Sequence, residues 1–309
     1  MFMLRIVCVV CLLKNIKILV STFKSNADSV GEFIVPILSG SELYDDTFRP
    51  MLKDNTGDNI SDKNESYCEL TAQYWAWKNL DCDFYGLMHH RRYFDFNPKN
   101  IYSSDSRKLP KSYRIFDTPD EKTLEIICAD YNTISELTNK YRIIAPVREN
   151  IFESVKKHYD KSDGTDFDDL ALVCEIIKKK YPKYLSSALQ YLDGHIAYFC
   201  NMFIMDKELF FDYSEWLFDI LEEFEKQKPP ELKKSRECGK IGERLFGIYM
   251  TYIINNTDIK WAELPRAHFC GLGGATKNPS FDRNLYRLCP PGSRRRSILR
   301  KLKQNKKRG

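Results

Sequence analysis

Two hydrophobic periods alternate along this chain. Ile16–Thr22 (IKILVST) is a continuous apolar, β-branched run, as in a strand buried on both faces. Phe84–Met88, Tyr141–Pro146 (YRIIAP) and Ala197–Met205 (AYFCNMFIM) repeat that signal. Between them the period is helical. From Ser66 to about Asn79, Tyr67, Leu70, Tyr74 and Trp77 share one face, and Cys68, Ala72 and Trp75 the next. Ser66 with Glu69 three residues on fits a capping box. Asp168–Lys180 closes on three lysines before Tyr181-Pro182, as a helix end does. Asp206 caps an amphipathic helix with Leu209, Phe210, Tyr213, Trp216, Leu217, Ile220, Leu221 and Phe224 at helical spacing. Pro229-Pro230 ends it, and Ser235–Ile254 forms a last long helix. This alternation predicts an α/β domain with a mostly parallel sheet and a ligand site at the carboxyl ends of its strands.

Residues 97–121, rich in Pro, Ser and Lys, read as a surface loop. Residues 1–15 read as an apolar extension, too short to span a bilayer and followed by no small-residue cleavage site. The domain proper is expected over 16–290, and 291–309 as a basic tail.

Composition refines this picture in two places. The net charge of +5 is concentrated in Gly292–Gly309, which holds nine Lys or Arg and no acid, so the body is mildly acidic. With Ile298, Leu299 and Leu302 on one stripe, the tail reads either as a foot for an anionic membrane surface or as a solvated extension. No aromatic-interleaved basic face accompanies it, which argues against nucleic acid. The ten cysteines lack paired spacing, and the lone C-x-x-C, Cys8 to Cys11, has no polar ligands nearby. Free thiols in a reducing cytoplasm are the simplest reading.

The chemistry-bearing residues cluster early. His89-His90-Arg91-Arg92-Tyr93 directly follows the Phe84–Met88 strand, where an open α/β sheet places its ligand. Arg presents a planar fork of donors suited to phosphate oxygens, so this cluster points to a diphosphate; the plainer reading is arginines bridging structural carboxylates. Asp54–Ser61 (DNTGDNIS) has the make-up of a ligand-binding turn, with amides around Gly57 for an anion and Asp54 or Asp58 for a hydroxyl, or of an ordinary loop of Asx-turns. Asp81-Cys82-Asp83 matches a D-x-D triplet, but its place before the strand favours a solvated turn. Asp166 and Asp168 read as helix-start residues. In RECGKIGERLFG, Gly239, Glu243 and Gly247 share a helix face, so Glu243 reads as a general base beside a cleared surface, or as half of a Glu243–Arg244 structural pair. Trp75 is kept as a sugar-stacking candidate; His158, His195 and His268 are isolated and read as structural.

Together the strings GDNIS…CELTAQYWAWKNL, FYGLMHHRRYF, NMFIM with YSEWLFDIL, and GKIGERL resemble a family of bacterial capsular and exopolysaccharide synthesis proteins catalogued as a domain of unknown function and regarded as glycosyltransferases. The matching strings run in order from about Ile16 to Ile254. The resemblance implies a GT-A-like, Rossmann-type core with a helical C-terminal part, and transfer from a nucleotide-sugar, UDP-linked above all, to a growing lipid-linked glycan at the inner membrane face. It implies sugar-donor contacts from Asp54, Gly57, Asp58, Asn59, Ser61, Arg91, Arg92, Tyr93 and Lys24, catalytic roles for Glu243 and His89, and acceptor contacts from Trp75, Asn201 and Arg244. The family pattern His-Tyr-Arg-Arg-Tyr carries His90 here at its second position, and the His-Lys after the first strand is Phe23-Lys24. A basic cluster where D-x-D normally stands leaves both Mn²⁺- or Mg²⁺-assisted and metal-independent transfer open. The rival reading is a non-catalytic sugar- or nucleotide-binding partner in a polysaccharide assembly complex.

Overall fold

The computed structural model describes residues 13–23, 29–44, 51–104, 106, 109–162 and 164–271, together with Leu288, Cys289, Arg295 and Ile298. Lys24, residues 1–12 and nearly all of the basic tail lie outside the described residues. The first half contains strands β1 (Ile16–Thr22), β2 (Ile34–Leu38), β3 (Leu52–Lys53), β4 (Phe84–His89), β5 (Arg92–Phe94), β6 (Tyr102–Ser103) and β7 (Tyr113–Phe116), with helices α1 (Asn64–Tyr67), α2 (Leu70–Asn79), α3 (Glu121–Ile126) and α4 (Tyr131–Lys140). The second half adds β8 (Ile143–Pro146), β9 (Glu149–Asn150), β10 (Ile196–Ala197), β11 (Phe203–Asp206), β12 (Trp261–Leu264) and β13 (Arg266–Phe269). Its helices are α5 (Val155–Asp160), α6 (Phe167–Lys180), α7 (Leu185–Asp193), α8 (Lys207–Gln227) and α9 (Glu237–Asn256).

The main sheet runs β3-β2-β1-β4-β11-β8-β12-β6, with β5 branching from β4 to β13 and β13 on to β7. β3, β2, β1 and β4 are mutually parallel, as are β8 and β12. β11 is antiparallel to both β4 and β8, so those two groups point the same way and the start of β11 shares their carboxyl edge.

Alternation along the strands sends side chains into two cores. Leu19, Tyr85, Leu87, Ile143, Phe203 and Met205 pack under α2 and the helices of the second half, including Trp75, Phe210, Leu217 and Phe246. Ile18, Val20, Met88, Ile144 and Ile204 face the opposite layer, with Phe94, Phe96, Ile134 and Leu137. Gly86 lets β4 and β1 lie flush, because a Cβ there would meet Ile18 Cγ1 at 2.8 Å.

Three local expectations are revised. The Ser66 capping box does not form: the helix begins at Asn64, breaks at Cys68 (φ 53°) and resumes at Leu70. Ser66 Oγ instead accepts the Cys238 N–H, and the Glu69 carboxylate turns toward Asn201. Ala197–Met205 is not one strand: β10 pairs with β9, β11 begins at Phe203, and Cys200 (φ 81°) and Asn201 (φ 42°) between them are left-handed. Residues 97–121 are not wholly loop, since β6 closes one edge of the sheet and β7 pairs with β13. β2, β12, β13, α4 and α7 are too short or too mixed in pattern to stand out in the sequence. By contrast, Asp206 caps α8 as expected, accepting the Leu209 N–H at 2.9 Å, and α6 carries a capping box between Asp166 and Asp169.

Candidate active site

The carboxyl edge of the sheet is stitched together by polar contacts. Asp54, after β3, is fully buried and accepts from Gly40 N–H (2.8 Å), Ser41 N–H (3.0 Å), Ser41 Oγ (2.8 Å) and Ser61 Oγ (2.6 Å). Ser39 meets Ser21 at the end of β1, Oγ to Oγ at 2.8 Å, and the Ser21 carbonyl accepts the His90 N–H at 3.1 Å.

The Asp54–Ser61 turn is likewise tied to α2: Tyr74 Oη donates to Asp58 Oδ1 (3.2 Å), and Trp75 Nε1 donates to Thr56 Oγ1 (2.9 Å). Within the turn, Asn59 Nδ2 donates to the Gly57 carbonyl at 2.9 Å. Gly57 is left-handed (φ 58°), and a Cβ there would strike Asn79 Oδ1 at 2.0 Å. Asp54, Gly57, Asn59, Ser61 and Trp75 thus hold this edge in shape, and the Asp54 carboxylate is fully engaged in doing so.

Next along the edge, β4 and β5 form a hairpin whose turn is His90-Arg91, with His89 paired to Arg92. The Phe269 N–H donates to the Arg91 carbonyl at 3.0 Å, and the Phe23 ring meets His90 edge-on at 5.1 Å. Burial, with Arg92 and Arg91 adding to it, pushes His89 down to about 4. Burial and Arg91 push His90 to about 4 as well, so both rings are neutral near pH 7. Arg92 is half-buried, and its side chain makes no hydrogen bond or ion pair among the described residues. Tyr93, expected at the ligand, lies in the core with its ring 5.0 Å from Phe269.

The strained Cys200-Asn201 turn brings the two halves of the chain together. His89 Nε2 hydrogen-bonds the Cys200 carbonyl, which requires the ring N–H there. Glu243 Oε1 accepts the Cys200 N–H at 2.7 Å. Asn201 Nδ2 donates to Glu69 Oε1 (2.7 Å) and to the Gly239 carbonyl (3.0 Å), and Glu69 Oε1 lies 4.0 Å from His89 Nε2. Burial raises the Glu69 carboxyl above its ordinary range. Beneath the turn, Arg266 pairs with Glu149 and reaches Cys200 Sγ at 3.2 Å.

Glycines let α9 approach closely enough to deliver Glu243. A Cβ at Gly239 would press on Cys68 Sγ at 3.2 Å, and one at Gly247 would collide with Tyr191 Cζ at 2.0 Å. Glu243 keeps 22% of its side chain exposed and opens on a cavity of about 280 Å³ lined also by Glu69, Phe199, Arg236 and Arg244. Arg244 is only 4% exposed; its Nη2 lies 3.8 Å from Glu243 Oε2, while Nε and Nη1 have no hydrogen-bond partner.

Of the expected residues, the fold therefore gathers His89, Asn201, Glu243 and Arg244, with the Arg91–Arg92 turn alongside. Glu69 and Arg236 join them although the sequence did not single them out. Asp81-Cys82-Asp83 does not fit a metal–diphosphate role, because it precedes β4 at the opposite edge. There Asp83 accepts the Asn15 N–H and Asp81 pairs with Lys207. Among the described residues, no group of three His, Cys, Asp or Glu is arranged to hold a metal ion.

A mixed, largely parallel sheet flanked by helices, with a polar site on its carboxyl edge, defines a glycosyltransferase-like α/β fold. A solved structure titled as the apo form of WbbM, a bifunctional glycosyltransferase, superposes with a TM-score of 0.74 at 31% identity over 85% of this chain. The match spans 48% of that enzyme, so this chain corresponds to about half of it. The model of the family described as "Domain of unknown function (DUF4422)" matches residues 17–256, and the chain belongs to that family. No curated protein matches it.

Proposed function

We propose that this chain is a glycosyltransferase that moves a sugar from a nucleoside diphosphate donor, a UDP-sugar first among them, to a hydroxyl of a growing glycan. The observation that carries this reading is the meeting of Glu243 with the Cys200-Asn201 turn beside the Arg91–Arg92 hairpin on the carboxyl edge. Likeness to a glycosyltransferase over most of the chain supports it.

In this reading Glu243 takes the proton of the acceptor hydroxyl as its oxygen attacks the anomeric carbon. The bond from that carbon to the diphosphate oxygen breaks, and the charge released on the nucleoside diphosphate is met by Arg91 and Arg92. Neutral His89 holds the Cys200 carbonyl, which fixes the N–H that orients Glu243. Glu69, through Asn201, braces the same turn. The glycan is taken to be lipid-linked and membrane-associated, with the basic residues 292–309 lying against anionic lipid. No helix among the described residues is long and apolar enough to cross a membrane.

The test is calorimetric titration with UDP-, GDP-, CMP- and dTDP-sugars, followed by assay of transfer to an undecaprenyl-diphosphate-linked saccharide. Binding of one nucleotide class with turnover supports the reading. Binding without turnover on any acceptor favours the non-catalytic partner, and no binding removes both.

A further inference from the structure

The cavity at the start of α9 contains more positive charge than the transfer reaction needs. Arg244 forms part of its wall, only 4% exposed, with two guanidinium nitrogens lacking any hydrogen-bond partner. Its planar group lies against aromatic rings on two sides, 5.5 Å from the Phe199 centroid and 5.9 Å from that of Tyr159. A buried cation is costly unless matched by opposite charge. Within the protein Arg244 has one carboxylate in reach, Glu243 at 3.8 Å, and the other oxygen of that carboxylate is committed to Cys200.

Arg236 stands at the rim of the same cavity. It is the residue preceding α9 and adopts a left-handed conformation (φ 62°), held by its own N–H donating to the Glu65 carbonyl at 2.7 Å. Such a conformation is strained for a non-glycine residue and persists where the surroundings impose it. Two arginines, one in the wall and one at the mouth, thus face a cavity whose acids are Glu243 and Glu69, the latter shifted by burial toward its neutral form.

We infer that this cavity is an acceptor subsite selective for an anionic sugar, one bearing a carboxylate or phosphate group. The inference rests on the transferase reading, since it assigns the cavity to the acceptor because Glu243 lines it. A general base must lie within hydrogen-bond reach of the hydroxyl it deprotonates. The donor's diphosphate is the other oxyanion in the reaction, and the His90–Arg91 turn with Arg92 beside it presents that group with cations of its own. At about 280 Å³ the cavity is near the lower limit for ligand sites and suits one sugar unit rather than an extended chain.

The experiment is calorimetric titration of the full chain, with and without UDP, using para-nitrophenyl glucuronide and its neutral counterpart para-nitrophenyl glucoside. Glucose 6-phosphate against glucose forms the phosphate arm. The expected result is affinity for an anionic sugar at least about 10-fold above its neutral partner, lost in Arg236→Ala while UDP affinity is retained. Arg236 is exposed, so its removal leaves folding intact; Arg244→Lys, which keeps the charge but not the fork, gives an intermediate loss. Equal affinity for charged and neutral sugars, or no sugar binding, overturns the inference. So does loss of UDP affinity in Arg236→Ala, which would assign the cavity to the diphosphate. Anionic-sugar selectivity without any UDP binding would leave this subsite standing and instead remove UDP as the donor nucleotide.

Discussion

Glu243 and Cys200 are joined by a 2.7 Å hydrogen bond from the Cys200 backbone N–H to the Glu243 carboxylate. Glu243→Gln keeps an oxygen acceptor for that N–H but cannot take a proton. It is therefore expected to lower kcat by about 10²-fold or more with nucleotide affinity close to wild type, and to lower the melting temperature because buried Arg244 loses its one carboxylate. Steady-state kinetics beside thermal unfolding check this; undiminished kcat removes Glu243 as the base.

Arg92 forms no ion pair among the described residues, unlike Arg114 and Arg266. Arg114 pairs with Asp95 at 2.8 Å and Arg266 with Glu149, so both are structural. Arg92→Ala is expected to weaken UDP binding by about 10-fold or more with little change in stability. A stability loss with unchanged UDP affinity would make Arg92 a packing residue.

Asp54 accepts four hydrogen bonds in a fully buried position. Asp54→Ala strands those donors and is expected to cost about 3 kcal/mol of stability, read from urea unfolding. If the variant instead unfolds like wild type and has lost nucleotide affinity, Asp54 is a ligand contact after all.

His89 makes stability depend on pH. Its value is depressed from an ordinary 6.5 to about 4, so between those values the unfolded chain binds the proton that the folded chain refuses. Its contribution is complete above about pH 6.5 and is lost as pH falls toward 4, amounting to roughly 3 kcal/mol. Glu69, raised by burial, acts with the opposite sign as pH falls and offsets part of this. Arg92, Arg91 and Glu243 are the other charges acting on the ring. His89→Gln, which keeps a donor for the Cys200 carbonyl, is expected to flatten the decline between about pH 7 and about pH 5. An unchanged slope in that variant would assign the decline to other groups.

Transfer is expected to proceed in EDTA, because Asp81 and Asp83 are engaged at the far edge and a basic turn occupies the place at the end of β4. Activity abolished by EDTA and restored by Mn²⁺ would show that a metal shares the diphosphate.

The sequence revealed those parts of the fold whose signal is local. A β-branched run announces β1, an apolar pentapeptide followed by His-His-Arg-Arg announces the end of β4, and an Asp before an amphipathic repeat announces α8. Glu243 was legible because glycines four residues either side clear its helix face. Glu69 was not, because a Ser three residues earlier offers it a capping role that the Cys68 break cancels. Nor was the Cys200-Asn201 turn, where neither residue is glycine and the left-handed backbone is imposed by partners distant in sequence. The Asp54–Ser61 turn read either as a ligand-binding turn or as an ordinary loop of Asx-turns, and in the fold Asp54, Asn59 and Ser61 hydrogen-bond within the protein.

The hydrogen bonds that hold Cys200 reach back 111 residues to His89 and forward 43 to Glu243. No contiguous stretch of a nascent polypeptide shorter than that span can assemble the centre, and a chain still emerging from the ribosome before α9 has the Arg91–Arg92 turn without the carboxylate. The joining of Glu243 to the Cys200 turn is therefore acquired late and all at once.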